Sequence, residues 1–139
     1  MKREFRTREN QRIATRYLAG WSCLDEVLVD QTSLADACIG GALNKLNRWA
    51  ADEYGSGTKK PKSSLVVLGM GKLGAYELYF SSDIDLIFSY PEMQKGWPSS
   101  HISIEEFHLQ IGQQLIRAMD SVTERGFVYR VDMRLRPYG

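Results

Sequence analysis

The sequence has 139 residues, of which 43% are hydrophobic and 25% charged, a balance that predicts one ordinary globular domain able to bury about two-thirds of its surface. Its formal net charge of +1 excludes a protein-wide positive field for nucleic acid, so any partner must be recognised locally. No apolar run approaches the ~20 residues that span a bilayer, and the charged N-terminus lacks the hydrophobic region of a signal peptide. We therefore expect a cytoplasmic protein without a membrane partner.

The first helix is predicted over residues 3–19, where sparse apolar positions in a highly charged segment indicate a narrow buried stripe. Gly20 follows directly and is expected to end this helix as a C-cap. The two cysteines, Cys23 and Cys38, have no CxxC spacing and lie in helical patterns. We expect two buried thiols rather than a disulfide or a metal pair.

Two further helices are predicted before the chain changes character. A short one covers residues 24–29, and a longer one runs over residues 34–51 with Thr32 or Ser33 as its N-cap. Apolar residues recur in the longer helix at 3.6-residue spacing, which predicts a core-facing stripe. A groove for a partner protein is the alternative interpretation of the same stripe.

A break in organisation is predicted at residues 54–63, which are rich in glycine and lysine. The lysines could meet phosphate, but three lysines are a weak basic run, and a solvated loop is expected. We therefore divide the chain into a helical segment, residues 1–57, and an α/β core, residues 58–139.

Residues 64–90, SLVVLGMGKLGAYELYFSSDIDLIFSY, predict a buried strand, a glycine-rich turn, a connector and a second strand that begins with two aspartates. Because side chains alternate along a strand, Asp83 and Asp85 project to one face, while Ile84 and Leu86 supply core on the other. Two adjacent like charges favour a divalent cation between them, and hard oxygen ligands suit Mg²⁺ or Mn²⁺. Ordinary water-exposed acids at a strand end are the alternative.

Downstream, Ser103 and Glu106 predict a capping box that opens a helix ending near residue 122 and covering the sheet. His101 and His108 have no partner at ligand spacing, so structural or exposed roles are expected for both. A last strand is then predicted from Val131, with core-facing residues alternating with a charged stripe: Asp132, Arg134 and Arg136. Three carboxylates on neighbouring strands can hold divalent ions for phosphoryl or nucleotidyl transfer; a salt-bridged sheet surface is the alternative for the last strand alone.

Gly69, Gly71 and Gly74 match the GxGxxG pattern of dinucleotide-binding folds. Only eight residues, 75–82, separate the last glycine from the next strand, whereas a parallel crossover usually needs a dozen or more. A P-loop is excluded because Leu73 stands where Ser or Thr would bind Mg²⁺. The remaining interpretation is a turn whose backbone N–H groups approach a phosphate beside metal-binding carboxylates.

The segments GMGKLGAYELYFSSDIDLIF and FVYRVDMRLRPYG together closely resemble the bifunctional glutamine synthetase adenylyltransferase/adenylyl-removing enzymes, a family within the nucleotidyltransferase superfamily. The likeness is strong over residues 64–139 and looser over the helical segment. It implies an α+β fold: a nucleotidyltransferase-like mixed sheet with flanking helices, preceded by a helical N-terminal segment.

The resemblance also implies roles for the residues that match the family motifs. The acids that would bind a catalytic Mg²⁺ or Mn²⁺ are Asp83, Asp85 and Asp132. The residues that would approach the nucleotide and its phosphates are Gly71, Lys72, Gly74, Ala75, Ser81, Ser82, Arg134 and Arg136. Ala75 departs from the Gly or Ser that the superfamily usually has there, so close backbone approach is less well supported at that position.

Family enzymes carry two such domains. One transfers AMP from ATP to a tyrosine of glutamine synthetase with release of pyrophosphate, and the other removes it by phosphorolysis with release of ADP. Met70, Phe80 and Met133 are more similar to the N-terminal removing domain, so we expect removal of AMP. The alternatives are the forward transfer and a non-catalytic nucleotide-binding module.

The partners that the resemblance implies are glutamine synthetase, the nitrogen-regulatory PII protein, ATP or ADP, and phosphate. Because family chains are far longer, we expect this chain to be a fragment that lacks the rest of its domain and is inactive alone.

Overall fold

The computed structural model describes residues 2–54, 65–91, 102–121 and 128–132. In chain order its elements are α1 (Lys2–Leu18), α2 (Leu24–Tyr54), β1 (Val66–Met70), α3 (Gly71–Gly74), β2 (Ile84–Ser89), α4 (Ile104–Asp120) and β3 (Val131–Asp132). This arrangement confirms the predicted α+β fold, with a mixed sheet, flanking helices and a helical N-terminal segment. Within the described ranges, no helix is both long and apolar enough to cross a membrane.

The turn after α1 has the backbone geometry of a glycine C-cap, as predicted. Gly20 adopts a positive φ of 75°. The Gly20 N–H donates to the Tyr17 carbonyl at 3.0 Å and the Trp21 N–H to the Arg16 carbonyl at 2.8 Å, which is the Schellman pattern. The chain thereby reverses, and α1 packs along α2.

α2 is one continuous helix of 31 residues, so the prediction of two separate helices is wrong. The Thr32 hydroxyl does not cap a new helix but donates to the Leu28 carbonyl at 2.9 Å, four residues back in the same helix. Its neighbour Gln31 is fully buried and donates to the Asn10 side chain of α1 at 2.7 Å. The polar residues around Thr32, which resemble a helix start, are therefore part of the contact between α1 and α2.

The sheet has the order β1-β2-β3. β1 pairs with β2 in antiparallel fashion, with Met70 facing Asp85, and β2 pairs with β3 in parallel, with Ile84 facing Val131. The antiparallel pairing of β1 and β2 confirms that the glycine motif does not belong to a parallel dinucleotide-binding crossover.

α4 covers the inner face of this sheet. Its predicted capping box is present, because the Ser103 hydroxyl accepts from the Glu106 N–H at 3.1 Å and the Glu106 carboxylate accepts from the Ser103 N–H at 3.3 Å. Its inward stripe is fully buried and consists of Phe107, Ile111, Leu115 and Met119. The sheet residues Ile84 and Leu86 lie in the same core as Leu115 and Met119.

The main core joins the helical segment to the α/β part. One buried cluster contains Ile13 of α1, Val27 of α2, Ile84 of β2 and Leu115 of α4, together with Tyr129 just before β3. The helical segment therefore packs directly on the layer that supports the sheet. The boundary between residues 57 and 58 stays a prediction.

Cys38 is buried, as predicted, but Cys23 is exposed, so the expectation of two buried thiols is wrong for Cys23. Cys23 lies in the turn before α2 rather than within a helix, and a residue in a surface turn has no inward face to occupy.

His108 is a structural residue of α4. It is buried, its Nδ1 lies 2.8 Å from the Ile104 carbonyl oxygen, and its ring stacks on Tyr90 with centroids 4.6 Å apart. His101 lies outside the described residues.

Candidate active site

The carboxylate of Asp85 lies directly against the glycine turn. β1 ends at Met70, which faces Asp85 across the sheet, and Gly71 then opens the short helix α3. Gly71 has a φ of +53°, and a Cβ added there would lie 2.5 Å from Asp85 Oδ2. Only glycine provides both this backbone conformation and this space at no steric cost.

The other two glycines of the motif hold the turn close to β1. A Cβ at Gly74 would lie 2.5 Å from the Gly69 carbonyl oxygen, and a Cβ at Gly69 would lie 2.9 Å from the Leu73 side chain. Leu73 itself is buried. Each glycine thus removes a specific clash, and α3 packs back on the strand that precedes it.

Asp85 and Asp132 face each other on neighbouring strands. The residues before them, Ile84 and Val131, also pair and pack in the core, so the two aspartates share the opposite, outer face. Adjacent strands lie about 4.8 Å apart, which brings two carboxylates from distant parts of the sequence to one patch. Both residues are partly buried.

Asp83 lies one residue before β2 and forms an ion pair with Arg130. The Arg130 Nε lies 3.9 Å from Asp83 Oδ1, and the side chains are 67% and 56% exposed, respectively. The sequence motifs do not single out Arg130 as a site residue. Its position two residues before Asp132 is the sequence feature that indicates it, because an alternating strand places both side chains on one face.

The connector between α3 and β2 contains the remaining described candidates. Ser82 stabilises it, because its hydroxyl accepts from the Tyr79 N–H at 3.0 Å while its own N–H donates to the Tyr79 carbonyl at 3.1 Å. Lys72, Ala75 and Ser81 are exposed. Arg134 and Arg136 lie outside the described residues.

The outer face of the sheet is open around these acids. Its apolar side chains are exposed rather than packed beneath another element of the described chain: Val66, Leu68, Met70 and Ile87. Grooves of about 550, 530 and 450 Å³ are formed by described residues elsewhere: between α2 and α4, between α4 and the far ends of β1 and β2, and between α1 and the first turns of α2. The acids therefore stand on an exposed sheet surface.

Asp83, Asp85 and Asp132 are the described residues that could hold a divalent cation. Among the described residues, no group of three or more His, Cys, Asp or Glu side chains is gathered closely enough to hold a metal ion. Mg²⁺ at phosphate-handling sites is usually held by one or two carboxylates, with water and substrate phosphates completing its coordination. The facing pair of Asp85 and Asp132 fits that arrangement, with Asp83 two residues away.

Comparison with known proteins identifies the family. The model of the glutamate-ammonia ligase adenylyltransferase family matches residues 1–139. The chain therefore belongs to this family. The family match confirms the resemblance drawn from the two motifs and extends it over the helical segment.

Curated members of the family give the same result. A bifunctional glutamine synthetase adenylyltransferase/adenylyl-removing enzyme of Nitrosococcus oceani is 51% identical over 99% of this chain and 15% of its own length. The Pseudomonas aeruginosa enzyme of that name is 48% identical over 99% of the chain and 14% of its own length. The one from Thioalkalivibrio sulfidiphilus is 45% identical over the same shares. The chain thus spans about 15% of the length of these relatives.

Proposed function

We propose that this chain carries the catalytic acids of a metal-dependent reaction that removes AMP from adenylylated glutamine synthetase by phosphorolysis. The observation that carries the proposal is the facing pair of Asp85 and Asp132 on the open side of the sheet, with the glycine turn beside them. The names of the relatives supply glutamine synthetase as the protein substrate. The removing direction rests on the likeness of Met70, Phe80 and Met133 to the N-terminal domain of the family.

In this reaction an oxygen of inorganic phosphate attacks the phosphorus of the AMP group, and the bond to the tyrosyl oxygen breaks. ADP leaves, and the regenerated tyrosine hydroxyl takes up the proton that the phosphate gives up. Mg²⁺ or Mn²⁺ supplies charge neutralisation and orientation at the phosphates when bound.

The residues of this chain then have separate tasks. Asp85 and Asp132, with Asp83, would hold the cation, and Gly71 leaves room for the Asp85 carboxylate. The groups proposed to approach the nucleotide and its phosphates are Gly71, Lys72, Gly74, Ala75, Ser81, Ser82, Arg134 and Arg136. Arginine suits this task because its planar fork matches two phosphate oxygens at once.

The proposed setting is the cytoplasm, with glutamine synthetase and the PII protein as protein partners and ATP, ADP and phosphate as small ligands. No nucleic acid or membrane forms part of the proposal, in keeping with a net charge of +1. We propose that the 139-residue chain alone is inactive, because its relatives are about seven times longer.

The test uses the full-length gene product that carries this sequence. Purified enzyme is mixed with adenylylated glutamine synthetase, phosphate and Mg²⁺ or Mn²⁺, and ADP release is followed. Asp85→Asn and Asp132→Asn should each lower the rate at least about 100-fold, since each removes a charged group that acts on the transition state. Glu53→Gln, an exposed change near the end of α2, should leave the rate unchanged. Wild-type rates in both aspartate variants would refute the proposal.

The same variants decide between the two directions in which the relatives act. In the forward assay, ATP and unmodified glutamine synthetase yield pyrophosphate. If Asp85→Asn abolished pyrophosphate release but left ADP release unchanged, this chain would belong to the transferring site instead.

A further inference from the structure

The register of β2 and β3 sets two charged pairs side by side. Asp85 faces Asp132, and one residue earlier Ile84 faces Val131. The Ile84 N–H donates to the Arg130 carbonyl at 2.9 Å, which fixes the backbone of Arg130 beside the start of β2. Along β2 and β3, the oppositely charged pair Arg130–Asp83 therefore adjoins the like-charged pair Asp85–Asp132.

The ion pair between Arg130 and Asp83 is weak and can be exchanged easily for another contact. Its Nε–Oδ1 distance of 3.9 Å is near the limit for a salt bridge, and both side chains are more than half exposed. Exposed pairs of this kind contribute little to stability because water and salt screen them. The contact between Arg130 and Asp83 can therefore be exchanged for a contact with another anion at little cost.

We propose that Arg130 is a further catalytic residue of this site, which binds Asp83 before substrate arrives and then binds the inorganic phosphate that attacks the AMP group. The proposal rests on the proposed function. The facing carboxylates of Asp85 and Asp132 lie on an open face, and the Asp83–Arg130 ion pair adjoins them along the strands. Asp83 would exchange Arg130 for a divalent cation when the carboxylates hold one. The planar guanidinium fork of Arg130 suits bidentate contact with phosphate oxygens.

A purely structural ion pair predicts a different outcome. If Arg130 only fixed Asp83 in place, its removal would leave cation binding unchanged or weaken it. If Arg130 instead competes with the cation for Asp83, its removal should strengthen cation binding, because one positive charge is lost next to the carboxylates. Its removal should at the same time slow the reaction, because the phosphate loses a partner.

The experiment measures both quantities on the full-length gene product. Mn²⁺ affinity is measured by calorimetry without substrate, and ADP release from adenylylated glutamine synthetase is measured over a range of phosphate concentrations. Arg130→Met should bind Mn²⁺ about three- to tenfold more tightly, as expected for loss of a unit charge a few ångströms away in a solvated site. It should also lose about 100-fold in kcat/KM for phosphate.

Two further variants complete the comparison. Arg130→Lys keeps the charge but not the fork, so it should keep the Mn²⁺ affinity and lose about tenfold in rate. Arg48→Met, at an exposed arginine of α2, should match the wild type in both measurements. If Arg130→Met does not fold, Arg130→Lys decides, and a wild-type rate in that variant would refute the phosphate contact.

Two results for Arg130→Met would overturn the inference: unchanged or weaker Mn²⁺ binding, or a rate near that of the wild type. The proposed function would then stand if Asp85→Asn and Asp132→Asn still abolished ADP release. If those two variants retained their activity, the proposed function itself would be wrong.

Discussion

At the scale of single residues, the facing carboxylates of Asp85 and Asp132 should repel each other when no cation is bound. Like charges directly opposite each other on neighbouring strands are destabilising by about 0.2–1 kcal/mol. Asp85→Asn should therefore raise the free energy of unfolding by about that amount while it removes activity. Urea denaturation at low salt with a chelator present measures this gain, which should shrink in 1 M salt.

Asp83→Asn is the matched control for this prediction. Asp83 is paired with Arg130 rather than placed opposite a carboxylate, so its replacement removes an attraction and should give no gain in stability. A loss of stability in Asp85→Asn similar to that in Asp83→Asn would mean that the Asp85 carboxylate is already held by a positive group.

Some of these residue-scale relations could be read from the sequence, and others could not. The alternation along two strands was enough to predict that Asp85 and Asp132 lie on outer, polar faces. Arg130 was missed because its importance depends on the register between β2 and β3, which sets it beside Asp83. Register is a property of two segments together, and neither segment specifies it alone.

At the scale of elements, the glycine turn of α3 should tolerate no side chain at its first position. Gly71→Ala would require an L-residue at a φ of +53° and would put a Cβ 2.5 Å from Asp85 Oδ2. The positive φ alone costs roughly 1–2 kcal/mol, and the displaced carboxylate should lower the rate of ADP release further. Thermal unfolding and the ADP assay, both on the full-length gene product with Gly71→Ala, measure the two effects.

A glycine within a helix gives the opposite expectation and serves as the control. Gly41 lies in α2, and a Cβ there would meet nothing within 4 Å. Gly41→Ala should raise the free energy of unfolding by about 0.5–1 kcal/mol, because alanine restricts the unfolded chain and favours the helix. A similar loss of stability in both variants would show that the positive φ and the contact with Asp85 do not explain the requirement at Gly71.

Elements with a local signal were predicted well, and elements defined by packing were not. The capping box of α4 and the C-cap of α1 depend on residues within one turn, and both are present. The prediction of two helices in place of α2 is wrong because Thr32 and Ser33 resemble a helix start. In the structure Thr32 bonds back to Leu28 and the adjacent Gln31 is buried against α1, a tertiary contact that no local pattern reports.

At the scale of the whole molecule, Tyr129 connects three parts of the fold to the strand that carries Asp132. It is buried in the main core, and the guanidinium carbon of Arg6 in α1 lies 4.4 Å from its ring centroid. The N–H groups of Val128 and Tyr129 both donate to the Met119 carbonyl at the end of α4, at 2.9 and 3.0 Å. The position of β3 beside β2 therefore depends on α1, on α4 and on the core between them.

Because Tyr129 is buried in the main core, the free energy of unfolding should depend on pH in the alkaline range. Burial raises the pKa of Tyr129 to about 12, against the opposing influence of Arg6. Below pH 10 the phenol is neutral in both states and the full stability is present. Between about pH 10 and 12 the unfolded chain releases the proton while the folded one keeps it, so the free energy of unfolding falls by roughly 2–3 kcal/mol.

Denaturation of the wild type and of Tyr129→Phe between pH 8 and 12 tests this expectation. The difference in unfolding free energy between the two should be constant up to about pH 10 and should then shift in favour of Tyr129→Phe by roughly 2–3 kcal/mol, because phenylalanine has no proton to lose. Tyr76→Phe, at an exposed position, should follow the wild type over the whole range. A parallel decline in Tyr129→Phe and the wild type would mean that other groups cause the alkaline loss, and that water reaches the Tyr129 hydroxyl in the folded protein.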